Sequence, residues 1–325
     1  MRKKRFIYTL AAVLLMCSAA GVGAGCGKSS PALLDSFGTH LDTLMTSKDK
    51  LSKMDGAAAD LCVIENEDGF SENDIEAPAG ALFNITDQKT LYSKNANDER
   101  EIASITKIMT ALLAMKYADL SQEVTISYTP EGLESSAVLC GFEQGDKMML
   151  SSLLSAALIY SGNDAAIDIA IAVAGSQEAF VDMMNQESKE LMTSHTHFAN
   201  PTGLTQSKHY SSVYDVYLMF QEALKYDAFQ EIIGSSEYYS IFIRDNDKYG
   251  IMWQSTNYYH IGEATPPQDV EVIGGKTGTT DEAGSCLCLL AKDKYGDSHV
   301  SIILNAGDKE TLYAEMNKLL SKINN

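Results

Sequence analysis

Ser104 and Lys107 stand three residues apart within Ile102-Ala103-Ser104-Ile105-Thr106-Lys107-Ile108-Met109-Thr110-Ala111-Leu112-Leu113. Side chains at i and i+3 of a helix are neighbours, so the lysine amine can reach the serine hydroxyl and take its proton. A serine near a helix N-terminus also meets backbone N–H groups that favour developing negative charge. Such a pair is an activated nucleophile beside its base. The spacing alone is weak evidence, because Ser47-Lys48-Asp49-Lys50 repeats it in a polar segment with no apolar helix behind it.

Two further runs carry groups that would complete a site. Ser161-Gly162-Asn163 interrupts a long apolar stretch. It reads either as a connector, with glycine ending one helix and Asn163 or Asp164 capping the next, or as a hydroxyl held rigidly at a cleft by buried helices on both sides. Ser-x-Asn recurs at Ser71, Ser93 and Ser255, so its spacing carries little information. Lys276-Thr277-Gly278-Thr279 follows Gly274-Gly275 and reads either as a basic turn entering a strand or as a seat for a terminal carboxylate. In the second reading Lys276 supplies a cation, Thr277 and Thr279 supply hydroxyl donors, and Gly278 lets a substrate backbone approach closely.

These residues need a frame. Ile105, Ile108, Met109, Leu112 and Leu113 recur at the spacing of one buried helical face, with Ala103, Ser104, Lys107, Ala111 and Ala114 on a second face of small residues. Residues 79–85 and 89–92, around a turn through Asp87, predict a hairpin leading into that helix. Residues 148–174 read as apolar helix broken once at 160–164, and further helices are expected at 180–192 and 211–224. Strands are expected at 270–273, 285–291 and 299–305, the last two joined by a turn-rich loop at 292–297, before an amphipathic helix at 309–323. Strands at both ends with helices between them predict an α+β fold. Its antiparallel sheet is closed by the two ends of the chain and flanked by helices, with a helical lobe at about residues 108–230 inserted.

A chain of 325 residues, 45% hydrophobic and 21% charged, can build a full core and is not disordered in composition. Its 44 acidic against 25 basic residues give a net charge of −19, so nucleic acid is not an expected partner. Residues 1–25 read as an export signal: Arg2, Lys3, Lys4 and Arg5, then an apolar run shorter than the ~20 residues of a membrane span, then small residues. Gly23-Ala24-Gly25-Cys26 resembles a bacterial lipoprotein processing site, so Cys26 is expected to become the lipidated first residue, with simple cleavage nearby or a retained signal anchor as alternatives. Residues 26–58 would then form a stalk, residues 59–325 the folded domain, and residues 65–76 a solvated acidic loop. Cys286 and Cys288 stand at i, i+2 on a strand, a poor geometry for a disulfide. Cys62, Cys140, Cys286 and Cys288 are therefore expected as four buried thiols. His195-x-His197 and Cys286-x-Cys288 are too sparse for a zinc site, and neither metal nor cofactor is expected.

Taken in order, Ser104-x-x-Lys107, Ser161-x-Asn163 and Lys276-Thr277-Gly278 are the motif set of penicillin-binding proteins and class A β-lactamases. From about residue 79 to residue 305 the chain resembles the low-molecular-mass D-alanyl-D-alanine carboxypeptidases. Phe180-Val181-Asp182-Met183-Met184-Asn185 and Thr196-His197-Phe198-Ala199-Asn200-Pro201-Thr202-Gly203-Leu204 extend the likeness. The resemblance implies a β-lactamase/DD-peptidase-like fold without the C-terminal β-domain of many members. It implies Ser104 as nucleophile, Lys107 as base, Ser161 as proton relay and Asn163 as orienter of Lys107 and the substrate amide. Lys276, Thr277, Gly278 and Thr279 would bind the terminal carboxylate, with the Ser104 and Thr279 N–H groups as oxyanion hole. It further implies an enzyme on the extracytoplasmic face of a bacterial membrane that trims the terminal D-alanine of peptidoglycan stem peptides and is inhibited by β-lactams. Thr279 stands where family members often carry a histidine or an aromatic residue. β-Lactamase or DD-endopeptidase activity is the enzymatic alternative, and a non-catalytic lipoprotein that binds β-lactam or cell-wall peptide is the other.

Overall fold

The computed structural model describes residues 61–64, 74–128, 133 and 137–324, which fall within the unit Asp60–Asn325. The expected leader, Cys26, the stalk and nearly all of the acidic loop lie outside the described residues. The chain opens with β1 (Ala79–Asn84) and β2 (Lys89–Lys94), then a 3-10 turn at Ala103–Thr106 that runs directly into α1 (Lys107–Tyr117). Next come β3 (Glu123–Thr125), β4 (Lys147–Met149) and α2 (Leu150–Ser155), which passes through a π turn at Ala156–Tyr160 before α3 (Asn163–Ala174). Helices α4 (Gln177–Glu190), α5 (Val213–Ala223) and α6 (Asp227–Ile233) precede the hairpin β5 (Glu237–Arg244) and β6 (Asp247–Gln254). A short α7 (Tyr258–Ile261) leads to β7 (Val270–Thr280), β8 (Gly284–Asp293), β9 (Ser298–Ala306) and α8 (Lys309–Leu320).

The two ends of the chain do close one sheet. Its order is β2-β1-β9-β8-β7, and β1 pairs antiparallel with β9 from Ala79 opposite Leu304 to Asn84 opposite His299. The period of two in a strand sorts the apolar run of β8 onto both faces. Cys286, Cys288 and Leu290 join the core with Phe83 and Ile302, while Leu287, Leu289 and Ala291 pack with Met316 and Leu319 of α8. A strand covered on both sides reads as continuous apolar sequence rather than as alternation. Cys62, Cys140, Cys286 and Cys288 are free and buried, as expected.

Helix α1 departs from the two-faced reading. Every residue from Lys107 to Ala114 is buried, because the small face that includes Ala111 and Ala114 lets other elements approach as closely as the leucines do. The lobe between the sheet halves is also not purely helical. It contains a second antiparallel sheet, β3-β4-β5-β6. Asp245 and Asn246 turn its hairpin with φ of +52° and +68°, the two positive values of a type I′ turn. Arg244 beside that turn donates through Nε and Nη2 to the buried Asp146 carboxylate. Among the described residues no helix is long and apolar enough to cross a membrane.

Candidate active site

Ser104 belongs to the 3-10 turn rather than to the α-helix proper, and it is partly exposed. The residue before it, Ala103, has φ +45°, a left-handed conformation that costs a non-glycine residue about 1–3 kcal/mol and must be imposed by its surroundings. Two glycines do so. A Cβ on Gly203, itself at φ +85°, would lie 1.9 Å from the Ala103 carbonyl oxygen, and a Cβ on Gly278 would lie 2.9 Å from the Ile102 oxygen and 3.0 Å from the Ser104 nitrogen. The Ser104 turn is thus gripped between the 200–204 loop and β7. Here the motif Lys276-Thr277-Gly278 is part of a continuous strand and not a turn, so its glycine serves close approach.

Lys107 is fully buried. Its Nζ lies 2.8 Å from Ser104 Oγ, 2.8 Å from Asn163 Oδ1 and 2.7 Å from the Thr202 carbonyl oxygen. Asn163 Nδ2 donates to the Val138 carbonyl, which fixes the amide with its oxygen toward the lysine. One turn along α1, Thr110 Oγ1 donates to the Pro201 carbonyl at 2.7 Å, so residues 107 and 110 together hold the 200–204 loop. Thr106 completes the grip. Ala199 N–H donates to His209 Nδ1, so the proton of the neutral ring is on Nε2, which donates to Thr106 Oγ1 at 2.8 Å. Burial lowers the His209 pKa to about 4, in keeping with that neutral ring.

Ser161 ends the π turn with φ +70°. A π turn inside a helix is a device of functional sites, and here it presents the Ser161 hydroxyl to Lys276 Nζ at 2.9 Å. Asp164 accepts N–H bonds from Cys140, Gly141 and Ala165, which locks the neighbouring loop. Gly162 is required there, since a Cβ would fall 2.3 Å from Cys140 Sγ. Lys276 is fully buried too, and its ammonium also donates to the Thr277 carbonyl at 2.9 Å. Thr277 Oγ1 lies 2.5 Å from Thr256 Oγ1, and Thr279 is exposed.

Both amines are disfavoured as ions. Burial lowers Lys276 to about 7. For Lys107, burial and then the charge of Lys276 push the pKa well below the ordinary lysine value.

The structure therefore brings Ser104, Lys107 and Asn163 into one hydrogen-bonded group, joins Ser161 to Lys276, and sets Gly278 against Ser104. The reading of Lys276 as an open cation for a carboxylate changes, because its ammonium is enclosed and committed to Ser161 and Thr277. Sequence reasoning missed the Thr202 carbonyl and Thr256. The first is a main-chain atom with no side-chain signature. The second lies in Ser255-Thr256-Asn257, one of the recurring Ser-x-Asn copies. Among the described residues no group of three His, Cys, Asp or Glu side chains is placed to hold a metal.

Comparison with known proteins agrees with this geometry. The chain is 35% identical over 250 residues to the D-alanyl-D-alanine carboxypeptidase DacF of Bacillus subtilis, covering 75% of this chain and 61% of that one. It is 26% identical to a D-alanyl-D-alanine endopeptidase of Escherichia coli, covering 77% of each. The crystal structure of the Streptomyces K15 DD-transpeptidase superposes with a TM-score of 0.70 at 25% identity, covering 76% of this chain and 97% of that one. The family described as D-alanyl-D-alanine carboxypeptidase matches residues 66–308. The Ser104–Lys107–Asn163 group, the glycine-bounded turn and β7 all fall inside that match, and the chain belongs to the D-alanyl-D-alanine carboxypeptidase family.

Proposed function

We propose that this protein hydrolyses the terminal D-Ala-D-Ala bond of peptidoglycan stem peptides through an ester on Ser104. The carrying observation is the set of partners around Lys107. A neutral amine has two N–H bonds and one lone pair. Asn163 Oδ1 and the Thr202 carbonyl only accept, so they take both N–H bonds and leave the lone pair for the Ser104 hydroxyl.

In acylation, Ser104 Oγ attacks the carbonyl carbon between the two D-alanines as its proton passes to Lys107. The Ser104 and Thr279 N–H groups receive the oxyanion, each such donor being worth about 2.7–4 kcal/mol. The C–N bond breaks as Ser161 protonates the leaving amine and is reprotonated by Lys276. In deacylation water attacks the ester, its proton returns through Ser161 to Lys276, and Lys107 gives its proton back to Ser104. The Thr277 and Thr279 hydroxyls hold the terminal carboxylate, with the Lys276 charge behind them. The motif set supports β-lactam acylation of the same serine. Cys26 carries a lipid in this reading, which places the domain on the extracytoplasmic face of the membrane.

A DD-endopeptidase is the second reading, favoured by the relative from Escherichia coli, of whose length a larger share is covered. Incubation with diacetyl-L-lysyl-D-Ala-D-Ala, beside a cross-linked muropeptide dimer, tests both. Release of free D-alanine, lost in Ser104→Ala, is the expected result. Cleavage of the dimer alone would favour the endopeptidase, and a penicillin adduct on Ser104 without hydrolysis of either would leave a binding protein.

A further inference from the structure

The segment Asn200-Pro201-Thr202-Gly203-Leu204 supplies no side chain to the scheme above, yet it lies across the first turn of α1. Its shape depends on one amide. Asn200 Oδ1 accepts from Thr202 N at 3.1 Å, Thr202 Oγ1 at 2.8 Å and Gly203 N at 2.7 Å, while Asn200 Nδ2 donates to the Leu204 carbonyl at 2.9 Å and to Gln206 Oε1 at 3.1 Å. Three donors on one oxygen wind the loop into a tight turn, and that turn directs the Thr202 carbonyl onto Lys107 Nζ. It also sets Gly203 against the Ala103 carbonyl, where no side chain fits. We infer that Asn200 is a positioning residue for the base: by holding the Thr202 carbonyl on Lys107 it keeps the amine lone pair directed at Ser104.

The inference rests on Lys107 acting as the base. Without the Asn200 oxygen the turn relaxes, the Thr202 carbonyl leaves Lys107, and the amine is free to rotate an N–H toward Ser104. Two effects follow. The rate with Lys107 fully neutral falls, because the lone pair is no longer confined to one direction. The ionisation of Lys107 moves down, because a carbonyl acceptor favours the ammonium form. The other groups that set this ionisation stay in place: Lys276 on β7, Asp164 on α3, Cys140 in the loop that Asp164 holds, and His209 behind Thr106. Asn200→Asp keeps an oxygen for all three donors and adds a negative charge, so it should restore the plateau while moving the ionisation up.

The experiment is the rate of Ser104 acylation by a fluorescent penicillin between pH 5 and 9, on full-length wild type, Asn200→Ala and Asn200→Asp, with folded fraction read by near-UV circular dichroism and the adduct located by mass spectrometry. Asn200→Ala should lower the plateau by about tenfold or more, a share of the roughly 10²–10⁴ that a general base supplies, and shift the acid limb downward. Asn200→Asp should recover most of the plateau with the limb shifted upward. A loss that tracks only the folded fraction, an unmoved limb in both variants, or an aspartate variant as slow as the alanine variant would overturn the inference. Should Asn200→Ala not fold, the opposed plateau and limb of Asn200→Asp decide alone. Wild type that is not labelled at Ser104 would instead overturn the assignment of Ser104 as nucleophile, and with it the proposed function.

Discussion

Lys107 on a helix and Lys276 on a strand are both fully buried, and each amine lies within hydrogen-bond distance of a serine hydroxyl in the same site. Their remaining partners differ. Lys107 meets two groups that only accept, an amide oxygen and a carbonyl, and it feels the charge of Lys276. Lys276 meets one carbonyl, and burial alone brings it to about 7. In the proposed mechanism, identical side chains are thereby divided into an acceptor of protons and a donor of them. Burial disfavours the charged form of either amine, and the count of acceptors, with the added charge of Lys276 on Lys107, distinguishes the two.

The strongest way to break this division is to remove the lone pair. Lys107→Arg keeps a charge that never leaves, so Ser104 acylation should fall by the roughly 10²–10⁴ of a lost general base, and a near wild-type labelling rate would show that Lys107 is not the acceptor. Lys276→Gln tests the coupling between the two. Removing that charge should raise the Lys107 ionisation, so that acylation at neutral pH drops roughly tenfold for each unit of the rise. In the wild type, kcat/KM should climb as Lys107 loses its proton and decline above about 7 as Lys276 does. A mutant acid limb that coincides with the wild-type limb would mean that burial, not the second lysine, sets the base.

His209 sharpens the comparison on the side of Lys107. Its pKa is about 4 when folded against 6.5 for an ordinary histidine, so below pH 6.5 the unfolded chain binds a proton that the folded chain refuses. Stability is therefore full above pH 6.5 and falls as pH drops toward 4, by about 3 kcal/mol at about 1.36 kcal/mol per unit. His209→Gln, whose amide can accept from Ala199 and donate to Thr106, should flatten that slope in urea melts taken across the range. The smallest effect belongs to the side of Lys276. Gly278→Ala places a Cβ 3.0 Å from the Ser104 nitrogen, an overpacking of about 1–3 kcal/mol. It should lower kcat for peptide more than it lowers melting temperature, whereas equal losses would place the strain in the fold rather than at the oxyanion.

What could be read in the sequence was mostly side-chain chemistry. Ser104, Lys107, Ser161, Asn163 and Lys276 were legible because their types and order match a known motif set, and β8 was legible because a strand buried on both faces leaves one apolar run. Three things were not. The Thr202 carbonyl is a main-chain group whose direction depends on Asn200 and Gly203, and no letter records it. The sequence of α1 shows one core face because alanine and lysine count little toward burial, although small residues are what admit neighbouring elements to a central helix. The β5–β6 hairpin has a weaker signal, Asp245-Asn246 between runs rich in tyrosine and isoleucine, because its type I′ turn lacks the glycine that usually marks one.

The pairing of β1 with β9 also sets the order in which this molecule can form. Ala79 must find Leu304, and Ser104 must find Gly278, across most of the chain. Contacts of such separation are slow to make, because the loop entropy is lost before the pairing returns it. The individual helices, the β3–β4 pair and the β5–β6 hairpin join residues close in sequence and can form first. A chain stopped before β7 would then hold Lys107 near Asn163 with neither a second lysine to depress its ionisation nor a strand to seat Ser104. The Ser104–Lys107–Lys276 arrangement is therefore a late product of folding, absent from every nascent chain shorter than its final strands.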